Sequence, residues 1–456
     1  MGTSISGNFY KNLFKLSLPI ALEGLIVFSF GVADAIMIGR LGDIGISGIY
    51  MGNQIQMLLQ VLCVGIEGAI LGLSSQYWGR EDAENVRKIS SIGILMSVSV
   101  GVLLTILCTS FPAFAVGLFT NKAEIIDTGA GYLKVLSISF PIFCLSRTLI
   151  ASMRSVEKTS VGFFSSAIAL AVKIFLNYML VFGNLGAPKL EIRGAAISTL
   201  VARATEVLIL LIYVFISDKR LSFKIKDLFK IDKSRFSDFF KYGTPIILGQ
   251  LVWAVNILAS SAIIGRVDSV SATAALGVAN TLNGLAYVLC NGVSAALGII
   301  TGKSVGAGEY ETVRKNTKKA QIIFVVIGIL TGAVIQFSKL PFISVYNLSA
   351  NAISEAKAFI NVLSVTAPAT AYQSACLFGI LKNGGDSAFV FKVEALSVFC
   401  AVLPAALIAW RLGFSPATVF AALKCDQPIK CIPAAIRVNK FKWIKNITER
   451  EKRPQD

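Results

Sequence analysis

The sequence predicts an all-α polytopic membrane protein. It reads as twelve transmembrane helices in two six-helix lobes, related by a pseudo-two-fold axis along the membrane normal. Three observations lead there. Fifty-five per cent of the 456 residues are hydrophobic and only 15% are charged, a composition unlike that of soluble domains. Apolar runs long enough to span a bilayer, about 20 residues of helix, recur from end to end, whereas the ten-residue alternating segments of a β-barrel do not. Part of the first run also occurs twice. Pro19-Ile20 and Ile38-Gly39-Arg40 return as Pro245-Ile246 and Ile264-Gly265-Arg266, both displaced by 226 residues.

Hydropathy places the spans at 16–39, 46–77, 90–112, 130–153, 161–183, 194–216, 243–265, 272–301, 319–341, 356–381, 388–410 and 415–436. The second and eighth are long, which predicts an unwound or tilted end in each. Lys11 and Lys15 before the first run resemble the start of a signal peptide. The run is too long for a secretory h-region and lacks a small-x-small cleavage site before Asp34, so it reads as a retained helix. With the N-terminus inside, cytoplasmic segments hold 28 Lys and Arg against 9 in the outward connections, which puts both termini in the cytoplasm. The expected organisation is an N-lobe over 1–216, a cytoplasmic loop over 217–241, a C-lobe over 242–436 and a basic tail over 437–456. The loop mixes Lys with Phe, Leu and Ile. It fits either an amphipathic helix on anionic lipid or a solvated linker.

The repeat continues beyond the first helix. Gly79, Glu84 and Val86-Arg87-Lys88 match Gly306, Glu311 and Val313-Arg314-Lys315 at an offset of 227, and Pro141 matches Pro368. Six spans per half give both halves the same orientation, the parallel-repeat arrangement of several secondary transporters.

Composition also excludes several functions. The net charge of +17 lies between the spans, as in cytoplasmic loops, and so does not point to nucleic acid. With no histidine there is no Cys/His metal site, no HExxH zinc motif and no Ser–His dyad. No GxGD or GxxxxGKS/T sequence occurs, so intramembrane proteolysis and ATP drive are not expected. Cys63, Cys108, Cys144, Cys290, Cys376 and Cys400 read as small core residues, and Cys425 and Cys431 match no zinc spacing. Gly384-Gly385-Asp386 reads as a tight cytoplasmic turn. No cofactor or metal is expected, and the chain is not an enzyme.

Charges inside the spans are the candidate site. A carboxylate at mid-membrane costs about 2.5–3.5 kcal/mol and is by default a functional group. Asp34 is the first of these, and Ser260 takes its place in the second half. The mid-membrane set is Asp34, Glu67, Lys173, Arg203 and Glu206. Lys392, Lys424, Asp426 and Lys430 lie near helix ends, where side chains can snorkel. Arg203 and Glu206, three apart on one helix, can pair. Either they form a self-neutralised couple, or Glu206 is a proton-relay partner of Asp34. Lys173 and Asn177 share a face of the fifth span, at a depth similar to that of Asp34. Lys173 could pair with Asp34, with Glu67 or with Glu206, or reach a water-filled cavity.

Several stretches together resemble multidrug and toxic compound extrusion (MATE) transporters, within the multidrug/oligosaccharidyl-lipid/polysaccharide exporter superfamily. They are VADAIMIGRLG, SQYWGREDAENVRK, MRSVEKTS, NYMLVFGNLGAPKLEIRGAAISTLVARATE and GILKNGGDS. The resemblance covers essentially the whole chain. It implies a V-shaped cavity between two lobes, alternating access coupled to H⁺ or Na⁺ influx, and amphipathic organic cations as substrates. It places Asp34 at the family's first-helix aspartate. Asn177 stands where some members have an aspartate, and Lys173 where they have asparagine. In the C-lobe, Gln250 replaces a glutamate, and Thr370–Gln373 stand where cation-coordinating members have an acid. No acid is expected to remain there, which favours N-lobe coupling at Asp34, with H⁺ ahead of Na⁺ because a hard-cation site needs several oxygens.

The expected function is therefore a monomeric secondary-active exporter in a bacterial inner membrane. Asp34 would be the switch, tuned by Lys173 and Glu206. Two alternatives are a flippase for lipid-linked saccharides, which would need a strongly cationic cavity fed by Lys173, Arg147 and Arg203, and a non-transporting membrane sensor or scaffold.

Overall fold

The computed structural model describes residues 9–38, 42–229, 232–267, 270–346 and 348–452. Regular structure among them is entirely helical. The first half contains α1 (Phe9–Ile38), α2 (Gly42–Gly79), α3 (Ala83–Ser110), the short α4 (Pro112–Gly117), α5 (Ala123–Leu136), α6 (Ser139–Ser155), α7 (Ser160–Leu180) and α8 (Glu191–Ile212). The second contains α9 (Lys233–Val267), α10 (Val270–Gly306), α11 (Tyr310–Ser344), α12 (Ala350–Ser374), α13 (Ser387–Ser397), α14 (Leu403–Arg411), α15 (Pro416–Leu423) and α16 (Asp426–Asn439). π-Helical turns at Ala375–Leu381 and Val398–Val402 extend α12 and join α13 to α14. Among the described residues nine helices are long and apolar enough to cross a membrane, and the bent α5–α6 pair supplies a tenth. The remaining two expected spans fall on α12 with its π turn and on α15–α16. The protein is thus a multi-pass, all-α membrane protein.

Two local expectations are corrected, one is narrowed, and one span proves bent. Of the unwound or tilted ends expected for the long second and eighth spans, the unwound form is not found: α2 and α10 are continuous helices of 38 and 37 residues. The fourth span is not one straight helix, because α5 and α6 meet at 50°. Pro141 has no N–H to offer the Ser137 carbonyl one turn back, and the Thr105 hydroxyl donates to that carbonyl instead, at 2.6 Å. Cys400 is exposed and not a core residue. The stretch over 217–241 is neither a separate amphipathic helix nor a loose linker. Arg87 donates to the Leu221 carbonyl (2.9 Å) and pairs with Asp227 (3.5 Å), Ser91 donates to the Asp227 carbonyl, and the last residues open α9.

The chain forms two compact units. One comprises residues 22–74 and 81–243, the other residues 1–21, 75–80 and 244–456. The first unit is cored by Leu59, Cys63, Tyr132, Phe140, Phe143 and Cys144, from α2, α5 and α6. The second is cored by residues of α9 to α15, with Phe359 stacked on Phe420 at 4.4 Å.

The sequence repeat reappears inside each unit as a matched helix crossing. In the first, Gly101 of α3 lies against Pro141 of α6, where an added methyl carbon would stand 2.9 Å from the proline Cα. In the second, Gly328 of α11 lies against Pro368 of α12, with the corresponding distance 2.5 Å. Only a residue without Cβ permits backbones to approach so closely. A second repeat pair, Gly79 and Gly306, lies at the crossing of the α2 end with α10. Gly79 abuts the Lys303 carbonyl and Gly306 the Gln76 carbonyl, both within the second unit.

The C-terminal segment is docked. Trp443 is fully buried and packs its ring on Gly384. Its indole N–H donates to the Val438 carbonyl (2.8 Å), and the Lys445 N–H donates to the Gly384 carbonyl (2.9 Å). Asp386, buried at the end of the Gly384-Gly385 turn, pairs with Arg437 and Lys445, both at 2.6 Å. Gln76 links the same turn to the segment, donating to the Asn383 carbonyl and accepting from the Ile447 N–H.

Two outcomes test these packing arguments. Gly328→Ala is expected to lower stability by about 1–3 kcal/mol through overpacking. Gly131→Ala, where an added methyl meets nothing within 4 Å, should instead raise it by up to about 1 kcal/mol. Thermal unfolding in detergent separates the two. Trp443→Ala is expected to cost about 3–5 kcal/mol and to open the chain beyond Asn439 to limited proteolysis.

Candidate ion-coupling site

The first unit gathers its buried charges in two groups. One is built from α1, α7 and α8. Small residues, Ala169 on α7 and Ala202 on α8, pack with Phe30 of α1 and so let the three helices approach. Arg203 and Glu206, one turn apart on α8, form an ion pair of 2.9 Å, both almost fully buried. The Ser166 hydroxyl on α7 donates to the other Glu206 oxygen at 2.6 Å. The Arg203 guanidinium lies 4.6 Å above the Phe30 ring and 4.9 Å from that of Phe143. The Lys173 ammonium lies 4.9 Å from the centre of Phe30. One ring of α1 therefore faces two cations, and such contacts strengthen when water is excluded. Lys173 and Asn177 are both buried.

Of the residues expected to form this site, Lys173, Asn177, Arg203 and Glu206 are brought onto the neighbouring helices α7 and α8. Asp34 lies in α1, four positions after Phe30; its side chain is outside the described residues.

The second group was not foreseen as a unit. Arg147 of α6 grips Glu67 of α2 through two hydrogen bonds of 2.8 Å and reaches Glu23 of α1 at 3.2 Å. Arg154 closes on the other Glu23 oxygen at 2.7 Å. Two carboxylates and two guanidiniums make a neutral, cross-linked set, the arrangement that allows charge burial. Each of these residues is visible in the sequence as a charge in or beside an apolar run; which pairs with which depends on the contact of α1, α2 and α6. In this group Glu67 is held by Arg147, as Glu206 is held by Arg203 and Ser166 in the first.

In the second unit the tenth-span positions Thr370 and Gln373 carry no acid themselves, but acids stand close by on other helices. Thr370 turns its hydroxyl to the Thr366 carbonyl (3.0 Å). Gln373 donates to Gln427 (3.2 Å), whose own amide donates to both Asp426 oxygens at 2.9 Å. Lys430 lies between two carboxylates, Glu394 and Asp426, each at 2.8 Å. Asp426 and Lys430 are thus not snorkelling helix-end charges but a buried cluster. The break at Lys424–Cys425 makes Asp426 the first residue of α16, where a carboxylate meets the positive helix end. Lys430, four residues on, shares its face. The i, i+4 spacing of Asp426 and Lys430 was the sequence signal; Glu394 within an apolar run was the other. Gln250 of α9 lines a small cavity together with Pro245, Phe378, Lys382 and Glu394. Among the described residues no group of side chains has the make-up of a metal site.

Comparison with known proteins places this architecture. The MatE family model matches residues 19–179 and 245–407, one stretch in each half. A relative described as the probable multidrug resistance protein NorM of Thermotoga maritima is 24% identical over 401 residues, covering 87% of this chain and 85% of its own length. The uncharacterized transporter YisQ of Bacillus subtilis is 23% identical over 95% of both chains. Among solved structures, an outward-facing multidrug resistance MATE family transporter superposes with a TM-score of 0.87 at 17% identity, covering 96% of this chain and 98% of the other. A Pyrococcus furiosus transporter of the wider superfamily, described as having a binding pocket of reverse polarity, superposes at 0.86 with 16% identity over 98% of both chains. These structures share the fold of two six-helix lobes. With its family model matched across both repeats, the chain belongs to the MatE family of membrane transporters and is not an enzyme.

Proposed function

We propose that the protein is a multidrug exporter that expels amphipathic, cationic small molecules by alternating access, driven by inward H⁺ flow, or Na⁺ in its place, through a site in the first half at Asp34. The observation that carries this reading is the buried charge set around Phe30. Lys173 and Arg203 both face that ring, Glu206 neutralises Arg203, and Asp34 follows four positions later in the same helix. A carboxylate there exchanges a proton or cation against the charge of Lys173. Neutralising it removes a buried charge, and the balance between conformations shifts by the difference in its interactions in the two states. The multidrug resistance function in the relatives' names supports the substrate class. Monomeric action, cytoplasmic termini and a bacterial inner membrane complete the reading, the termini by the Lys and Arg distribution.

The flippase alternative calls for a strongly cationic cavity. Two of its three cations, Arg147 and Arg203, are neutralised in ion pairs, and this favours the exporter.

Dye-cation efflux from proteoliposomes under separately imposed pH and Na⁺ gradients tests the proposal. Wild type should follow one gradient, and Asp34→Asn should lose that coupling. Equal flux in the mutant would remove Asp34 from the mechanism. No cation flux under either gradient would favour lipid-linked saccharides or a non-transporting role. Phe30→Leu, which keeps an apolar side chain but removes the ring, is expected to cost about 1–2 kcal/mol of stability and to slow gradient-driven efflux. Thermal unfolding and the same flux assay read the two effects.

A further inference from the structure

The second unit holds a buried cluster that the coupling site at Asp34 does not use. Glu394, Lys430 and Asp426 make two carboxylates to one ammonium, all at 2.8 Å, and Glu394 is 3% exposed. Lys430 occupies one Glu394 oxygen. The other, Oε1, has no hydrogen-bond partner among the described residues, and neither has Oε1 of Gln373, itself 5% exposed. Buried acceptors left unpaired are costly, so two in one cluster point to a missing donor. Glu394 also lines the cavity that runs past Gln250 and Lys382. Its volume is about 10 Å³, room for a single water.

We infer that Glu394 is a second proton-binding carboxylate of this transporter, reached by water through the cavity beside Gln250, with Lys430 passing to Asp426 when Glu394 is neutral. The proton comes from the aqueous phase and is relayed through that water, which takes up one proton as it passes another on. It settles on a carboxylate oxygen of Glu394 with no hydroxide left behind. Lys430 then keeps one ionised partner, Asp426, four residues before it on the same helix. A proton suits the site better than a metal cation, because an ammonium already stands between the carboxylates and the cavity has no room for the several oxygens a hard cation takes. The charged and titratable groups facing the cluster are Lys430 and Asp426 of α16, Lys424 at the α15–α16 break, Tyr287 of α10 and Lys382 of the turn after α12. The role in transport rests on the exporter reading; the proton site itself does not.

Infrared difference spectra of the full-length protein in lipid vesicles, recorded across pH steps without sodium, test this directly. A carboxylic-acid carbonyl band is expected to grow as pH falls. It should be absent in Glu394→Gln, displaced in Glu394→Asp and retained in Asp34→Asn. Efflux driven by a pH gradient should fall in Glu394→Gln. A band that persists unchanged in Glu394→Gln overturns the inference. Should that variant not fold, a band unmoved in Glu394→Asp overturns it as well. Because Asp34→Asn is read by flux and Glu394 by its own band, failure of either assignment leaves the other standing.

Discussion

The constraint on which this structure depends is that a charge inside a hydrocarbon slab must meet its partner within the protein. An unpaired ion there is expensive enough to change its state or the fold, and removing one member of a buried pair leaves the other exposed to that cost. Both units obey it by the same device: long side chains on adjacent helices converge on one another. In the first, Glu23, Glu67, Arg147 and Arg154 tie α1, α2 and α6 into a neutral set, while Arg203 and Glu206 neutralise each other on α8.

The duplicated scaffold shows how the constraint shapes chemistry. Each unit contains the same glycine-on-proline crossing, Gly101 with Pro141 and Gly328 with Pro368. Backbone geometry is therefore shared, but the groups mounted on it differ. The offset of 227 that relates those crossings carries Glu67 to Ser294 and Arg147 to Ser374. In place of the ion pair, the Ser294 hydroxyl donates to the Ser374 carbonyl at 3.0 Å. The second unit instead buries its charge between α13 and α16, with carboxylate in excess over ammonium. Two halves that pack alike thus hold ions in different places, an arrangement open to a duplicated chain once each copy satisfies its own polar groups.

Much of this was legible in the sequence. Twelve spans, their near boundaries and the repeat follow from hydrophobic runs and spacing, because bilayer thickness sets helix length. The pairing of Arg203 with Glu206 and the burial of Lys173 and Asn177 on one face follow from helical periodicity, a local property. The bend at Ser137 was hidden because a proline inside a helix is compatible with a straight course, and a hydroxyl from α3 decides otherwise. The C-terminal segment read as a basic tail, since Arg437 and Lys445 look like solvated charges until Asp386 and the pocket for Trp443 are placed beside them.

The sequence by itself determined that the protein is a helical membrane transporter built by duplication, and which charges lie at membrane depth. Those are properties of composition, length and spacing, and each is fixed within one segment. Tertiary structure alone decided who neutralises whom. It gave Glu67 to Arg147, drew Asp426 and Lys430 into the interior with Glu394, and set Phe30 before two cations. Ion pairing spans helices far apart in the chain, and its energy depends on ångström-scale distance and on exclusion of water. Neither quantity exists until the helices pack.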